Sequence, residues 1–189
     1  MLSFLKQFIL RPTEIGTPLA LGPSLSKYIV EMAKVGSGKT LVELGSGTGP
    51  VTREIFAQKS KDSNFLAIEL NPSFCEILKA EFPDLKLFKD SAENLQSILA
   101  REGYPACDRI VSGLPWAAFD PELQVKILHA AHSALEEGGI FVTVTYIQSP
   151  LLPAGKTFKK LLKKTFRKVE LSSIVWKNIP PAFVYICTK

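Results

Sequence analysis

The spacing of apolar and polar positions changes repeatedly along the chain, and each change predicts an element. Residues 24–34, SLSKYIVEMAK, have helical spacing, with Ser24 as an N-cap after Pro23. A turn at Gly36–Gly38 leads into the apolar run TLVEL at 40–44, predicted as a strand. The pattern then alternates. A helix over about 50–59 precedes a strand at 64–70, and Pro72 opens a helix reaching Phe82. A strand at 85–88 precedes a helix over about 91–102. A strand at 108–113 precedes a helix from Pro121 to Glu136, which Gly138 and Gly139 close, and 139–146 is a long β-branched strand. After Pro153 a basic helix runs to about 165. Two further strands, near 166–176 and 182–188, are joined through NIPP and finish the sheet in an antiparallel pair.

Five strands alternating with helices predict an α/β fold with a mostly parallel, doubly wound sheet. No repeat and no long linker divides the chain, so residues 1–189 are expected to form a single domain.

Composition is that of an ordinary globular protein, with 46% hydrophobic and 22% charged residues. Three scattered cysteines fit neither a disulfide framework nor a metal cluster, and they point to a reducing compartment. His129 and His132 alone supply too few ligands for a metal, so none is expected. The start of the chain lacks the marks of a secretory signal, and no stretch is apolar for long enough to cross a bilayer. The net charge of +5 is local. Lys156, Lys159, Lys160, Lys163, Lys164, Arg167 and Lys168 supply seven positive charges, and the remainder carries −2. An anionic partner meeting one surface is expected.

Two glycine-rich stretches compete for a ligand. Gly36-Ser37-Gly38-Lys39-Thr40 superficially fits a phosphate loop, but Ala33 stands where its first glycine belongs and a strand follows instead of a helix. It is expected to be only a turn. Glu43-Leu44-Gly45-Ser46-Gly47-Thr48-Gly49 does lead from a strand into a helix, at the carboxyl edge where open α/β sheets bind ligands. Pro50 sits where a dinucleotide fingerprint needs its last small residue, and Glu43 suits a cationic ligand better than a pyrophosphate. Glu69 ends the second strand, where a carboxylate can accept both ribose hydroxyls, and Asp90 follows the third, in reach of an adenine amine.

This pattern resembles the class I S-adenosylmethionine-dependent methyltransferases along nearly the whole chain. The resemblance implies their Rossmann-like fold, with seven mostly parallel strands, an antiparallel strand near the C-terminus and helices on both faces. It implies S-adenosyl-L-methionine as cofactor and S-adenosyl-L-homocysteine as product. Glu43, Gly45, Ser46, Gly47 and Gly49 would line the methionine moiety and Glu69 would hold the ribose. Leu70, Asp90, Ser91, Ala92 and Ser112 would complete the cofactor site.

For the acceptor, the fourth strand ends in Ser112-Gly113-Leu114-Pro115-Trp116. In the ribosomal RNA adenine dimethylases, the position of Gly113 holds an Asn or Asp whose side chain accepts a bond from the adenine amine; glycine has none to offer. The segments at 42–55, 71–78, 111–115, 145–151 and 176–185 are more similar to the small bacterial phospholipid N-methyltransferases. That resemblance implies phosphatidylethanolamine and its partly methylated forms as acceptors at an anionic membrane surface. It implies a cytoplasmic protein, peripheral on the inner face of the cell membrane. Ser112 and Tyr146 would orient the amine or phosphate, and Trp116 with Tyr146 would face the cationic headgroup. Trp116 suits the core equally well by its apolarity.

Two amphipathic stretches bear on the same choice. Residues 154–169 space Phe158, Leu161, Leu162, Phe166 and Val169 among lysines, and residues 1–11 space Leu2, Phe4, Leu5, Phe8 and Ile9. Either stripe can enter a bilayer surface or pack on the sheet. RNA would also use the lysines, which leaves an RNA adenine or other amine methyltransferase as the alternative acceptor class. A non-catalytic protein that binds the cofactor or a membrane is the second alternative. The number of methyl groups added and the oligomeric state are not encoded in any motif.

Overall fold

The computed structural model describes residues 21–189, so the stretch 1–11 lies outside the described residues. Helix α1 spans Pro23–Met32, with Gly22 rather than Ser24 at its N-cap, because Pro23 takes the first helical position. A short 3-10 turn at Val35–Ser37 leads into β1, Thr40–Leu44. There follow α2 (Pro50–Gln58), β2 (Asn64–Glu69), α3 (Pro72–Glu81), β3 (Lys86–Lys89), α4 (Leu95–Arg101) and β4 (Cys107–Ser112). The second half holds α5 (Pro121–Ala134), β5 (Leu135–Tyr146), α6 (Pro153–Thr165), β6 (Lys168–Leu171) and β7 (Ala182–Thr188).

The seven strands form one sheet in the order β3-β2-β1-β4-β5-β7-β6. β1 to β5 pair in parallel, and β7 lies antiparallel between β5 and β6. The expected architecture is the observed one. Strand order reverses between β1 and β4, and the crevice at such a reversal is where open α/β sheets take their ligands.

Alternation along each strand sends neighbouring side chains to opposite layers. Leu41, Phe65, Ala67, Val111, Val142 and Val184 pack with Ile29, Val30, Val51, Ile55 and Leu78 under α1, α2 and α3. Val42, Leu44, Ile68, Ile110 and Phe141 pack with residues of α4, α5 and α6 on the other face.

Two departures from the expected elements have local causes. β5 starts at Leu135, four residues early, because Leu135 already pairs with Cys107 before a register shift; the chain turns at Gly138, φ +79°. The apolar stripe of α6 faces inward. Phe158, Leu162 and Phe166 are all buried, so the expectation that this stripe could enter a bilayer gives way to packing on the sheet. Phe158 stacks on Trp116 at 4.5 Å and Phe166 stacks on Phe141 at 5.5 Å. Contacts of that kind outweigh an interfacial site for the same side chains.

Candidate functional site at the carboxyl edge

The turn after β1 is held from three sides. Gly45 N–H donates to Ile68 O at 2.8 Å, Gly49 N–H to Ser46 O at 3.0 Å, and Gly47 N–H to the Glu69 carboxylate at 2.8 Å. Gly45, Gly47 and Gly49 all have positive φ, at 73°, 56° and 91°. A Cβ on Gly47 would meet nothing within 4 Å, so the turn opens onto free space there.

Gly113, after β4, is fixed by close approach. Its N–H donates to Leu44 O at 2.9 Å, and a Cβ there would lie 2.7 Å from Gly45 O, a backbone atom that cannot swing aside. Gly113 is thus the packing partner of the glycine turn. The Asn or Asp of the RNA dimethylases has no room at this position.

The three acids lie along one edge but in different states. Glu43 follows Leu41 in the alternation and points towards α2, where Thr52 Oγ1 donates to it at 2.7 Å. It is only 1% exposed, under the turn rather than at its lip. Burial pushes its carboxyl up to about 7, against the lowering effects of Thr52 and Ser46, and the charge of Glu69 adds to the rise. Ser46 Oγ is buried and close enough to bias Glu43, yet makes no hydrogen bond of normal geometry.

Glu69 bridges two loops. One carboxylate oxygen accepts Gly47 N–H and the other accepts Asn71 N–H, each at 2.8 Å. Asn71, which the sequence did not single out, is buried. Its side chain caps α3 by accepting the amides of Ser73 and Phe74. An Asn immediately before a helix-opening proline was the available signal. Leu70, next to Glu69, is 44% exposed at the same edge. Asp90 Oδ1 accepts Ser91 N–H and Asn94 Nδ2, both at 2.7 Å, and Ser91 caps the short turn Ala92–Asn94. Ala92 is buried beneath it.

The expected acceptor residues are not brought together. Ser112 is fully buried on the α5/α6 face, where its Oγ accepts Trp116 Nε1 at 3.2 Å and its carbonyl accepts Thr143 Oγ1 at 3.2 Å. Neither atom is turned to an acceptor. Trp116 is likewise a core residue. Its Nε1 donates to Thr143 Oγ1 at 2.9 Å, and its ring contacts Phe119, Phe141 and Phe158. The indole satisfies both its polar and its apolar needs inside, which removes it from the headgroup. Tyr146 ends β5 on the opposite face, that of Val142 and Val144, and burial raises its phenol pKa, so the hydroxyl stays protonated.

Elsewhere, the Gly36–Thr40 stretch is a turn at the amino edge of the sheet. The amides of Lys39 and Thr40 donate to Asp108 at 2.7 to 3.0 Å, which leaves them nothing for a phosphate. His132 packs edge-on against Phe166 near the end of α5, which runs back towards that amino edge.

Known proteins share this chain's sequence and fold to different extents. The ornithine lipid N-methyltransferase of Singulisphaera acidiphila is 29% identical over 97% of this chain and 93% of its own length. The probable ribosomal RNA small subunit methyltransferase A of Methanosarcina mazei is 26% identical over 67% of this chain, and that of Thermococcus gammatolerans 27% over 64%. This chain spans less than half the length of either, 44% and 41%. An O-methyltransferase from Bacillus cereus, solved with SAH, superposes with a TM-score of 0.72 at 11% identity, covering 90% of this chain and 83% of that one. An rRNA methylase from Streptococcus thermophilus gives 0.64 at 18% identity, covering 89% and 96%. At such identities these two bear on the fold alone. No protein-family model matches the chain. Sheet order and sequence relatives converge on one class: in fold and in sequence the chain is similar to the class I S-adenosylmethionine-dependent methyltransferases, which supports S-adenosyl-L-methionine as its cofactor.

Proposed function

We propose that the chain methylates the amine of a membrane-lipid headgroup, of the phosphatidylethanolamine type or the ornithine-lipid type. It would do so from the inner face of the cell membrane. The observation that carries the acceptor class is two-way coverage: the lipid N-methyltransferase matches 97% of this chain with 93% of itself. Gly113 supports it, since the 2.7 Å approach to Gly45 O excludes the side chain that an adenine amine would need.

The residues at the carboxyl edge fit the cofactor. Open space over Gly47 lets a ligand approach the backbone, and the Glu69 oxygens, each accepting one amide, keep a second lone pair for a ribose hydroxyl. Exposed Leu70 offers an apolar surface to the adenine, which Asp90, Ser91 and Ala92 would border. Glu43, buried under the turn, braces it from below through its bond from Thr52. The bound cofactor supplies an electrophilic methyl group on a sulfonium. The chain's part is to hold amine, methyl and sulfur in line, and alignment of that kind accounts for much of such a rate. Tyr146, at the end of β5, would offer its protonated phenol to the headgroup.

The test is transfer of label from radiolabelled cofactor to vesicles containing phosphatidylethanolamine, to vesicles containing ornithine lipid, and to ribosomal RNA. Label in either lipid is the expected result. Label confined to RNA would overturn the proposal in favour of the second acceptor class, which the partial-length relatives represent.

A further inference from the structure

Of the ten large hydrophobic side chains exposed among the described residues, six lie in two loops. Ile147, Leu151 and Leu152 belong to the connection from β5 to α6, and Ile174, Trp176 and Ile179 to the connection from β6 to β7. Leu151 is 75%, Trp176 69% and Ile179 87% exposed, which is unusual for clustered side chains of this size. The loops are fastened to each other at the carboxyl edge. Ile147 N–H donates to Pro181 O at 3.1 Å, Tyr146 pairs with Ala182, and Val175 N–H donates to Ala182 O at 2.7 Å. The start of the described chain is tied there too, because Gly22 N–H donates to Asn178 Oδ1 at 3.1 Å.

We propose that this two-loop apolar rim, not the stripe of α6, is what enters the bilayer, and that it seats the carboxyl edge against an anionic membrane surface. The inference rests on the lipid-acceptor reading and names the surface that serves it. Charge selects the occupant. Between Ile147 and Pro181 there are seven lysines and one arginine, and the single acid, Glu170, is paired with Lys168 at 2.9 Å. With Phe158, Leu162 and Phe166 turned inward, α6 presents Lys156 and Lys160 outward in its first turns, next to the rim, and carries its later lysines away towards the amino edge, where Lys168 pairs with Thr188. An apolar tip flanked by unbalanced positive charge fits acyl chains under anionic headgroups better than it fits a second copy of itself, whose lysines would repel. The same edge carries the glycine turn, so a headgroup amine entering past Tyr146 needs no passage through the protein.

The chain carries its own reporter, since its two tryptophans divide between the sites: Trp116 is buried and Trp176 is on the rim. Full-length protein is mixed with vesicles of phosphatidylethanolamine and phosphatidylglycerol carrying brominated acyl chains. Quenching of Trp176, absent in W176F, is expected, as is about tenfold weaker vesicle binding for L151S/I179S. V125S, which changes an exposed apolar residue on α5, serves as the control and keeps wild-type binding. Vesicle binding without quenching, or equal binding by L151S/I179S, would overturn the proposal. So would a lipid-independent dimer whose Trp176 emission shifts with protein concentration. Methyl transfer is scored in the same tubes. Quenching without lipid methylation would sink the acceptor reading and support the rim as a membrane-seating surface.

Discussion

The two halves of the carboxyl edge are built on opposite principles. From β3 to β4 nearly every contact that shapes the site is made by backbone atoms: amides on Glu69, Gly113 against Gly45, Gly45 against Ile68. From β5 to β7 the edge carries six large, apolar and exposed side chains. The first half can recognise a fixed small molecule, since backbone groups are aimed before any ligand arrives. The second suits a surface whose molecules differ from place to place. One fold thus holds a rigid donor side and an adaptable acceptor side.

The strongest challenge to that contrast is Gly113→Asn. It restores the side chain that the RNA dimethylases carry and drives a Cβ to 2.7 Å from Gly45 O. The glycine turn must shift by a substantial fraction of an ångström, and misplacement on that scale costs about a hundredfold in rate. We expect lipid methylation to fall by at least that much, with S-adenosylhomocysteine binding weakened in calorimetry and no transfer to RNA gained. Unchanged ligand binding would mean that the two turns are not interlocked.

That same contact shows where sequence reasoning stops. The glycine turn, the alternation of strands and helices and the acids at the strand ends were all readable, because each depends on residue type over a few positions. Gly113 was readable only as a missing side chain, since its constraint comes from Gly45, sixty-eight residues away. α6 is the counterpart. Its spacing of Phe158, Leu162 and Phe166 fits a bilayer and a core equally well, and the stacking of Phe158 on Trp116 decides for the core. Trp116 was ambiguous for the same reason, and Ser112 followed it inward through one hydrogen bond. The rim residues have no period at all, so no pattern could announce them.

A second test addresses the donor side through pH. Burial raises Glu43 from about 4.5 to about 7 in the folded chain. Between those values the native state holds a proton that the unfolded state releases, so stability from this group is full below about 4.5 and is lost as pH rises through 7. The loss is about 3 kcal/mol for one fully buried carboxyl. Denaturant midpoints for the wild type and Glu43→Gln at pH 5 and pH 8 isolate it. The variant's relative stability should improve at pH 8, because its amide oxygen can still accept from Thr52 while carrying no charge to bury. Parallel pH profiles for the two proteins would show that Glu43 is not buried as an acid.

The smallest effect belongs to the acceptor side and separates charge from apolar insertion. Lys156 and Lys160 are exposed in the first turns of α6, next to the rim, where they face any anionic surface that the rim enters. Replacing both with Gln keeps helix propensity and the buried stripe intact. Each lysine near an anionic membrane contributes up to about 1 kcal/mol, so K156Q/K160Q should bind vesicles roughly tenfold more weakly at low salt. The deficit should shrink as salt rises, because the Debye length falls to about 8 Å at 0.15 M and about 3 Å at 1 M. Bromine quenching of Trp176 in the protein that remains bound should stay the same, since insertion belongs to the rim. A deficit that salt does not reduce would trace to a destabilised helix instead, and thermal unfolding of the variant would show it. If quenching falls together with binding, lysines and rim act as one device, and the division between an electrostatic approach and an apolar seat has to be withdrawn.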